Sequence, residues 1–152
     1  MSGDEAKRAS DPRPVASSIS VSSRMSKQRR RDTEPELMVR RILFRRGIRY
    51  RVDAKPEPDI RCKADIVWRR LRLVVFIDGC FWHGCPVHAT RPKANVDWWA
   101  QKLDGNIRRD RRIDAELAAL GWTVMRFWEH EDPSLVADAI CEQLTELRTR
   151  PR

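Results

Sequence analysis

The sequence predicts an α/β protein with a mixed central sheet flanked by helices. Three observations predict it. Two short apolar runs, residues 64–68 and 73–77, are separated only by the polar turn 69–72. A long stretch, about residues 95–120, repeats apolar residues at three- and four-residue steps, as one face of a helix does. A further apolar run, residues 123–128, follows that helix, and alternating strands and helices imply a sheet covered by helices. A chain of 152 residues is enough for one such domain.

Residues 1–28 are rich in Ser, Ala, Arg and Pro without hydrophobic periodicity and read as a disordered basic arm, with Lys27, Arg29, Arg30 and Arg31 forming a charged cluster. The folded domain is expected over residues 29–148, with 149–152 a flexible tail. Thr33-x-x-Glu36 fits a capping box with Pro35 in the first turn, so a helix starts there. Met38, Val39, Ile42 and Leu43 give it an apolar face, and Gly47 ends it. Residues 50–52 are strand-like, and 53–63, with Pro56 and Pro58, are a loop.

The run Leu73-Val74-Val75-Phe76-Ile77 is apolar throughout, as a strand buried on both faces would be. Residues 78–92 show no regular element but hold most of the chemistry. In the long helix Val96, Trp99, Leu103, Ile107 and Leu117 form the stripe, Asp110 and Asp114 lie on it, and Gly105 is a potential interruption. Residues 123–128 read as a central strand. Asp132-Pro133 caps a last helix to about Leu147, with Leu135, Val136, Ile140 and Leu144 facing inward.

The net charge is +9, and residues 1–31 hold about half of it, with eight Lys/Arg against three Asp/Glu. Such a balance favours a polyanionic partner, nucleic acid first. No apolar run is long enough to span a membrane, and the first residues lack the apolar core of a signal peptide, so the cytoplasm is the expected compartment. In that reducing setting four cysteines point to metal ligation or buried thiols rather than disulfides.

Cys80, Cys85 and His88 fall within nine residues, and His130 follows the strand at 123–128. Thiolate and imidazole are the ligands zinc prefers, and four of them close a tetrahedral structural site. The alternative is two buried thiols with surface histidines. Cys62 is a possible substitute ligand, and Cys141 reads as a core residue of the last helix.

Asp65 interrupts an otherwise apolar strand and Asp78 ends the next. Charged groups are rarely placed so unless paired or metal-bound, and strand-borne carboxylates suit Mg²⁺, a hard cation that prefers oxygen. Simple outward alternation of Asp65 is the competing explanation. His83 lies between the soft ligands and, if not one of them, is a candidate general acid or base. Asp110 needs a cationic partner, for which His83 is a candidate. Glu36 is accounted for by the capping box alone. Phe81-Trp82 and Trp98-Trp99 are adjacent aromatic pairs; any one of them suits a core, yet neighbours cannot all face one core, and exposed rings in a basic protein suit stacking between bases.

The segment Phe76-Ile-Asp-Gly-Cys-Phe-Trp-His-Gly-Cys-Pro-Val-His88 closely resembles the very short patch repair endonuclease family. So do Arg31-Asp-Thr-Glu-Pro-Glu36, Ala64-Asp-Ile-Val67, Asn106-Ile-Arg-Arg-Asp110, and Gly121-Trp with Phe127-Trp-Glu-His130, in order, across about residues 24–147. The resemblance implies a restriction-endonuclease-like core of the PD-(D/E)xK type. It implies nicking of one strand 5′ to the thymine of a T:G mismatch, the product of 5-methylcytosine deamination. It implies catalytic roles for Asp65, His83, Glu36 and Asp110, with Mg²⁺ on Asp65 and the Ile77 backbone carbonyl. It matches Cys80, Cys85, His88 and His130 to a structural zinc, and Phe81, Trp82 and Trp99 to aromatics that intercalate beside the mismatch. The basic arm, with Lys27 and Arg29 to Arg31, matches a segment that embraces DNA. The implied partners are mismatched double-stranded DNA and other mismatch-repair proteins, for a monomer associated with the nucleoid. Ile77 stands where the best-known member has threonine, and the Cys/His ligand mix is rearranged. On the residues alone, a restriction-type nuclease without mismatch preference and a zinc-stabilised DNA-binding module without catalysis are the rival readings.

Overall fold

The computed structural model describes residues 32–88 and 93–151. The expected arm, with Lys27, Arg29, Arg30 and Arg31, lies outside the described residues. Helix α1 spans Glu34–Arg45, with Pro35 in its first turn. The capping box forms differently from the expectation. Thr33 is the N-cap but its side chain makes no capping bond. Glu36 instead accepts the N–H of Asp32, one residue earlier, at 3.1 Å, and binds Arg40 with the same oxygen. Gly47, at φ +77°, takes the left-handed turn that reverses the chain after α1.

Strands β1 (Arg51–Ala54), β2 (Ala64–Trp68), β3 (Leu73–Asp78) and β4 (Thr123–Trp128) form one sheet in the order β1-β2-β3-β4. The first two pairings are antiparallel and β3 with β4 is parallel. A parallel pair needs a long crossover, which helix α2 (Val96–Ala119) supplies. β4 is therefore an edge strand, not the central one expected; β3, buried at every residue, is internal. Helix α3 spans Pro133–Thr149, and Asp132 caps it by accepting the N–H groups of Ser134 and Leu135.

Side chains of β3 alternate between two cores. Leu73, Val75 and Ile77 pack under Val39 and Leu43 of α1 and Val136, Ile140 and Leu144 of α3. Val74 and Phe76 face Ile113 and Leu117 of α2. The result is three layers, helices over both faces of the sheet. Each fully buried Leu or Ile contributes about 1.5–3 kcal/mol relative to exposure. Three expected inward residues are not: Leu135 is 67 % exposed, Val96 53 % and Met38 42 %. Leu135 sits one step off the stripe formed by Val136, Ile140 and Leu144. Gly105 does not break α2, which runs unbroken for 24 residues. Cys141 packs against the first core, half-buried. No described helix is long and apolar enough to cross a membrane.

Candidate metal centre and active site

The β3–β4 register assembles the site. Asp78 pairs with Trp128, so the residues two further along each strand, Cys80 and His130, arrive side by side. Glu129 ties the two ends together, donating its N–H to the Asp78 carbonyl at 2.9 Å and accepting the N–H of Cys80 at 3.1 Å. A turn then closes, with the Cys85 N–H on the Cys80 carbonyl at 3.1 Å. Donor atoms of Cys80, Cys85, His88 and His130 all lie within 4.8 Å of one another. Cys80 Sγ is 3.2 Å from His130 Nδ1, and Cys85 Sγ is 3.6 Å from that atom and 4.0 Å from His88 Nδ1. Burial and the neighbouring Cys85 thiol push the Cys80 thiol up to about 11. Two buried thiols and two imidazoles are a complete tetrahedral set for a soft metal ion. Cys62 is not among them; it packs against the second core.

His83, in the middle of this turn, points the other way. Its Nδ1 lies 2.5 Å from Asp110 Oδ2 on α2 and 3.8 Å from Asp78 Oδ1. Asp110, on its apolar stripe, thus has an imidazole as hydrogen-bonding partner. Burial by itself would lower the His83 pKa, but the Asp110 hydrogen bond and the charges of Asp78 and Asp110 outweigh it and raise it. Asp110 is correspondingly lowered, by His83 and Arg126 acting against burial. These residues line a cleft of about 290 Å³ with Gly84, Ile107, Arg111, Asp114, Arg126 and Trp128. Gly84 is required where it stands: its φ is +70°, and a Cβ there would lie 2.6 Å from Ile107 Cδ1.

Asp65 and Glu36 sit apart from that pair. The β2–β3 ladder ends at Ile66 and Val75, and beyond it the Asp65 carboxylate accepts the Ile77 N–H at 2.6 Å. Burial, with the charges of Glu36 and Asp78 adding to it, lifts Asp65 to about 7 against that hydrogen bond. Glu36 occupies the buried stripe of α1, 3 % exposed, and is held by Arg40 at 3.1 Å. Asp78, expected as a possible second metal-binding acid, is bound by Arg126, whose Nη1 is 3.1 Å from both its oxygens.

Phe81, Trp82, Trp98 and Trp99 form a half-buried aromatic group belonging to neither core. Ring centroids are 5.0 Å apart for Phe81–Trp82, 5.5 Å for Phe81–Trp99 and 4.8 Å for Trp98–Trp99. Asn106 donates to the Trp82 carbonyl at 3.1 Å, fixing this group to α2.

Sequence reasoning missed Arg126, Asp114 and Arg40. A signal was present for the first two: an arginine alternates with Val124 on a largely apolar strand, and Asp110 and Asp114 are one helical turn apart. Neither says that the three meet.

A family model described as DNA mismatch endonuclease Vsr matches residues 16–88. The chain is 39 % identical over 141 residues to the type II nicking enzyme V.NaeI of Lentzea aerocolonigenes, covering 91 % of this chain and 85 % of that one. It is 41 % identical over 111 residues to the type II nicking enzyme V.XorIIP of Xanthomonas oryzae pv. oryzae, covering 70 % and 77 %. It is 32 % identical over 120 residues to the DNA mismatch endonuclease Vsr of Escherichia coli, covering 76 % and 75 %. Relatedness at this level along nearly the whole chain places it, with its paired imidazole and its thiol–imidazole centre, in the DNA mismatch endonuclease Vsr family.

Proposed function

We propose that this protein is a divalent-metal-dependent DNA endonuclease that nicks one strand 5′ to the thymine of a T:G mismatch. The observation that carries the reading is the His83–Asp110 pair at 2.5 Å, opening on a cleft, with His83 on the same turn as the half-buried rings of Phe81 and Trp82. Relatives named as nicking enzymes and as a mismatch endonuclease support it. A mixed sheet with acids at its strand ends supports a restriction-endonuclease-like core.

The donor set of Cys80, Cys85, His88 and His130 fits zinc, as two soft thiols and two imidazoles whose donor atoms converge. It would hold the turn carrying Phe81, Trp82 and His83. Asp65 fits a hard cation: a half-buried carboxylate lifted to about 7 is relieved by a positive charge as well as by a proton. The N–H and C=O of one strand residue point to the same side, so the Ile77 carbonyl is turned toward Asp65 as its N–H is. Mg²⁺ held there would neutralise charge developing on the scissile phosphate.

The remaining work falls to the chain's own groups. His83 commits Nδ1 to Asp110, which leaves Nε2 to exchange a proton at the phosphate. Its raised pKa lets the ring give a proton to the leaving oxygen, while the neutral ring can take one from the attacking water. Glu36, held by Arg40, adds negative charge beside Asp65 and so favours a cation there. Phe81, Trp82 and Trp99 wedge beside the mismatch, where a weak pair lowers the unstacking cost. Exposed Arg108, Arg109, Arg111 and Arg112 on α2 take phosphate contacts, as do Lys27, Arg29, Arg30 and Arg31 before α1.

The test is nicking of end-labelled duplexes carrying a T:G or a C:G pair, with Mg²⁺ or EDTA, for the wild type and Asp65→Ala. A Mg²⁺-dependent nick beside the mismatched thymine, absent in the variant, is the expected result. Equal cutting of matched DNA would instead show a restriction-type nuclease. Binding without any cutting would show a non-catalytic module.

A further inference from the structure

Asp78, His83 and Asp110 offer donor atoms within 4.8 Å of one another, which by composition alone could be taken for a second metal site. The cation they face is already in the protein. Arg126 Nη1 is 3.1 Å from both Asp78 oxygens, and its Nη2 is 4.0 Å from Asp110 Oδ1. The guanidinium is itself immobilised. Asp114 takes Nε at 2.9 Å and Nη2 at 2.7 Å in a two-pronged bond, and the Phe76 ring lies beneath it at 4.1 Å. Arginine suits this place because its planar fork serves two carboxylates at once, which a point-charge ammonium cannot.

We propose that Arg126 is a positioning residue for strand nicking: clamped by Asp114, it fixes Asp78 and Asp110 on either side of His83 and so aims the imidazole. This rests on the reading of His83 as the proton-exchanging group. Arg126 and Asp114 line the wall of the same cleft and act on His83 through Asp78 and Asp110. Arg126 lies on β4, on the side of the sheet that α2 covers, and its side chain is 19 % exposed; nothing requires either residue to touch DNA. Without the guanidinium, Asp78 loses its partner and draws the imidazole from Asp110, 3.8 Å against 2.5 Å now. A displacement on the order of 1 Å at a reacting group can reduce a rate by about 100-fold.

The experiment uses the full chain with zinc bound, and compares the wild type with Arg126→Met, Arg126→Lys and Asp114→Asn. Single-turnover nicking of the T:G duplex in saturating Mg²⁺, the dissociation constant for that duplex and the thermal midpoint are measured for each. The expected result is a nicking rate down by about 100-fold in Arg126→Met and about 10-fold in Asp114→Asn, with partial recovery in Arg126→Lys. The dissociation constants stay within about 3-fold of wild type, because the lost interaction acts on the reacting group and not on duplex binding. Imidazole ¹⁵N spectra, with His83 assigned from His83→Gln, should show a single Nδ1–H tautomer in the wild type and an averaged one in Asp114→Asn. Wild-type nicking rates in a folded Arg126→Met overturn the proposal. If that variant does not fold, wild-type rates in both Asp114→Asn and Arg126→Lys overturn it. A wild type that nicks no duplex overturns the reading of His83 itself, and this proposal with it.

Discussion

The Asp65 carboxylate accepts the backbone N–H of Ile77 at 2.6 Å, just past the point where β2 and β3 cease to pair. A side chain thus completes a ladder that the two backbones leave open, and does so with a half-buried acid lifted to about 7. An acid whose folded pKa is raised binds more protons folded than unfolded. Its contribution to stability is full below its unfolded value of about 3.9 and is lost as pH rises toward about 7. Thermal unfolding without Mg²⁺ should therefore show stability falling across that window. Mg²⁺ should restore it at pH 8 more than at pH 5. Asp65→Asn, which keeps an oxygen for Ile77, should remove both effects. It should also slow nicking by about 1,000-fold, the scale of several kcal/mol of lost charge stabilisation.

Asp110→Asn tests the imidazole pair. The amide no longer offers a carboxylate charge, so the His83 pKa should fall, followed by NMR titration of the ring. The raised His83 pKa contributes stability that is present at low pH and lost as pH rises through the folded value; the variant should lose that part. Single-turnover nicking should drop by about 100-fold, within the range for a mispositioned acid–base group. An unchanged ring pKa would show that Asp110 does not set it.

Metal removal should act on folding before chemistry. The chain should carry one zinc, and a strong chelator should lower its thermal midpoint steeply, since metal binding at such sites is folding free energy. Cys85→Ser should lose the metal. Cys62→Ser should keep it, because Cys62 packs against the second core away from the four ligands. Metal content by elemental analysis separates these outcomes.

Gly84→Ala should destabilise by about 2–4 kcal/mol in chemical denaturation, combining a strained backbone with an overpacked contact. The contact is with Ile107 Cδ1 at 2.6 Å, an atom that Ile107→Val removes. The double variant should recover most of the steric part, the Cγ1 contact at 3.3 Å remaining, and retain the cost of φ +70°. Complete recovery would mean that the backbone strain is negligible.

Phe81→Ala and Trp82→Ala should leave the thermal midpoint nearly unchanged, as neither ring belongs to the two cores. The ratio of T:G to C:G nicking should fall by about 10-fold for each, in keeping with about 1–3 kcal/mol per base–aromatic stack. Equal losses on both duplexes would assign the rings to general DNA binding.

Much of this architecture was legible because its signals are local. The apolar run at β3, the polar turn before it, Gly47 and Gly121 after their helices, and Asp132-Pro133 before α3 each declare themselves within a few residues. The Cys/His cluster was legible by residue type and close spacing, and the candidates Glu36, Asp65, His83 and Asp110 by the resemblance of whole motifs, whereas Arg126, Asp114 and Arg40 were not. Glu36 shows where local logic falls short. The capping-box spacing is present, yet the carboxylate reaches past Thr33 to the N–H of Asp32 and shares that oxygen with Arg40.

By itself, then, the sequence determined the elements, their order and the identity of the groups available for chemistry, since backbone propensity, burial pattern and ligand type all reside in neighbouring residues. Which groups meet was decided by tertiary structure. Parallel pairing of β3 with the edge strand β4, possible only with α2 as crossover, sets Asp78 against Trp128. That one register brings His130 to Cys80 across fifty positions of chain, and it places Arg126 between Asp78 and the acids of α2. No periodicity encodes it, because the register of a non-local pair is chosen by the packing of both faces of the sheet at once.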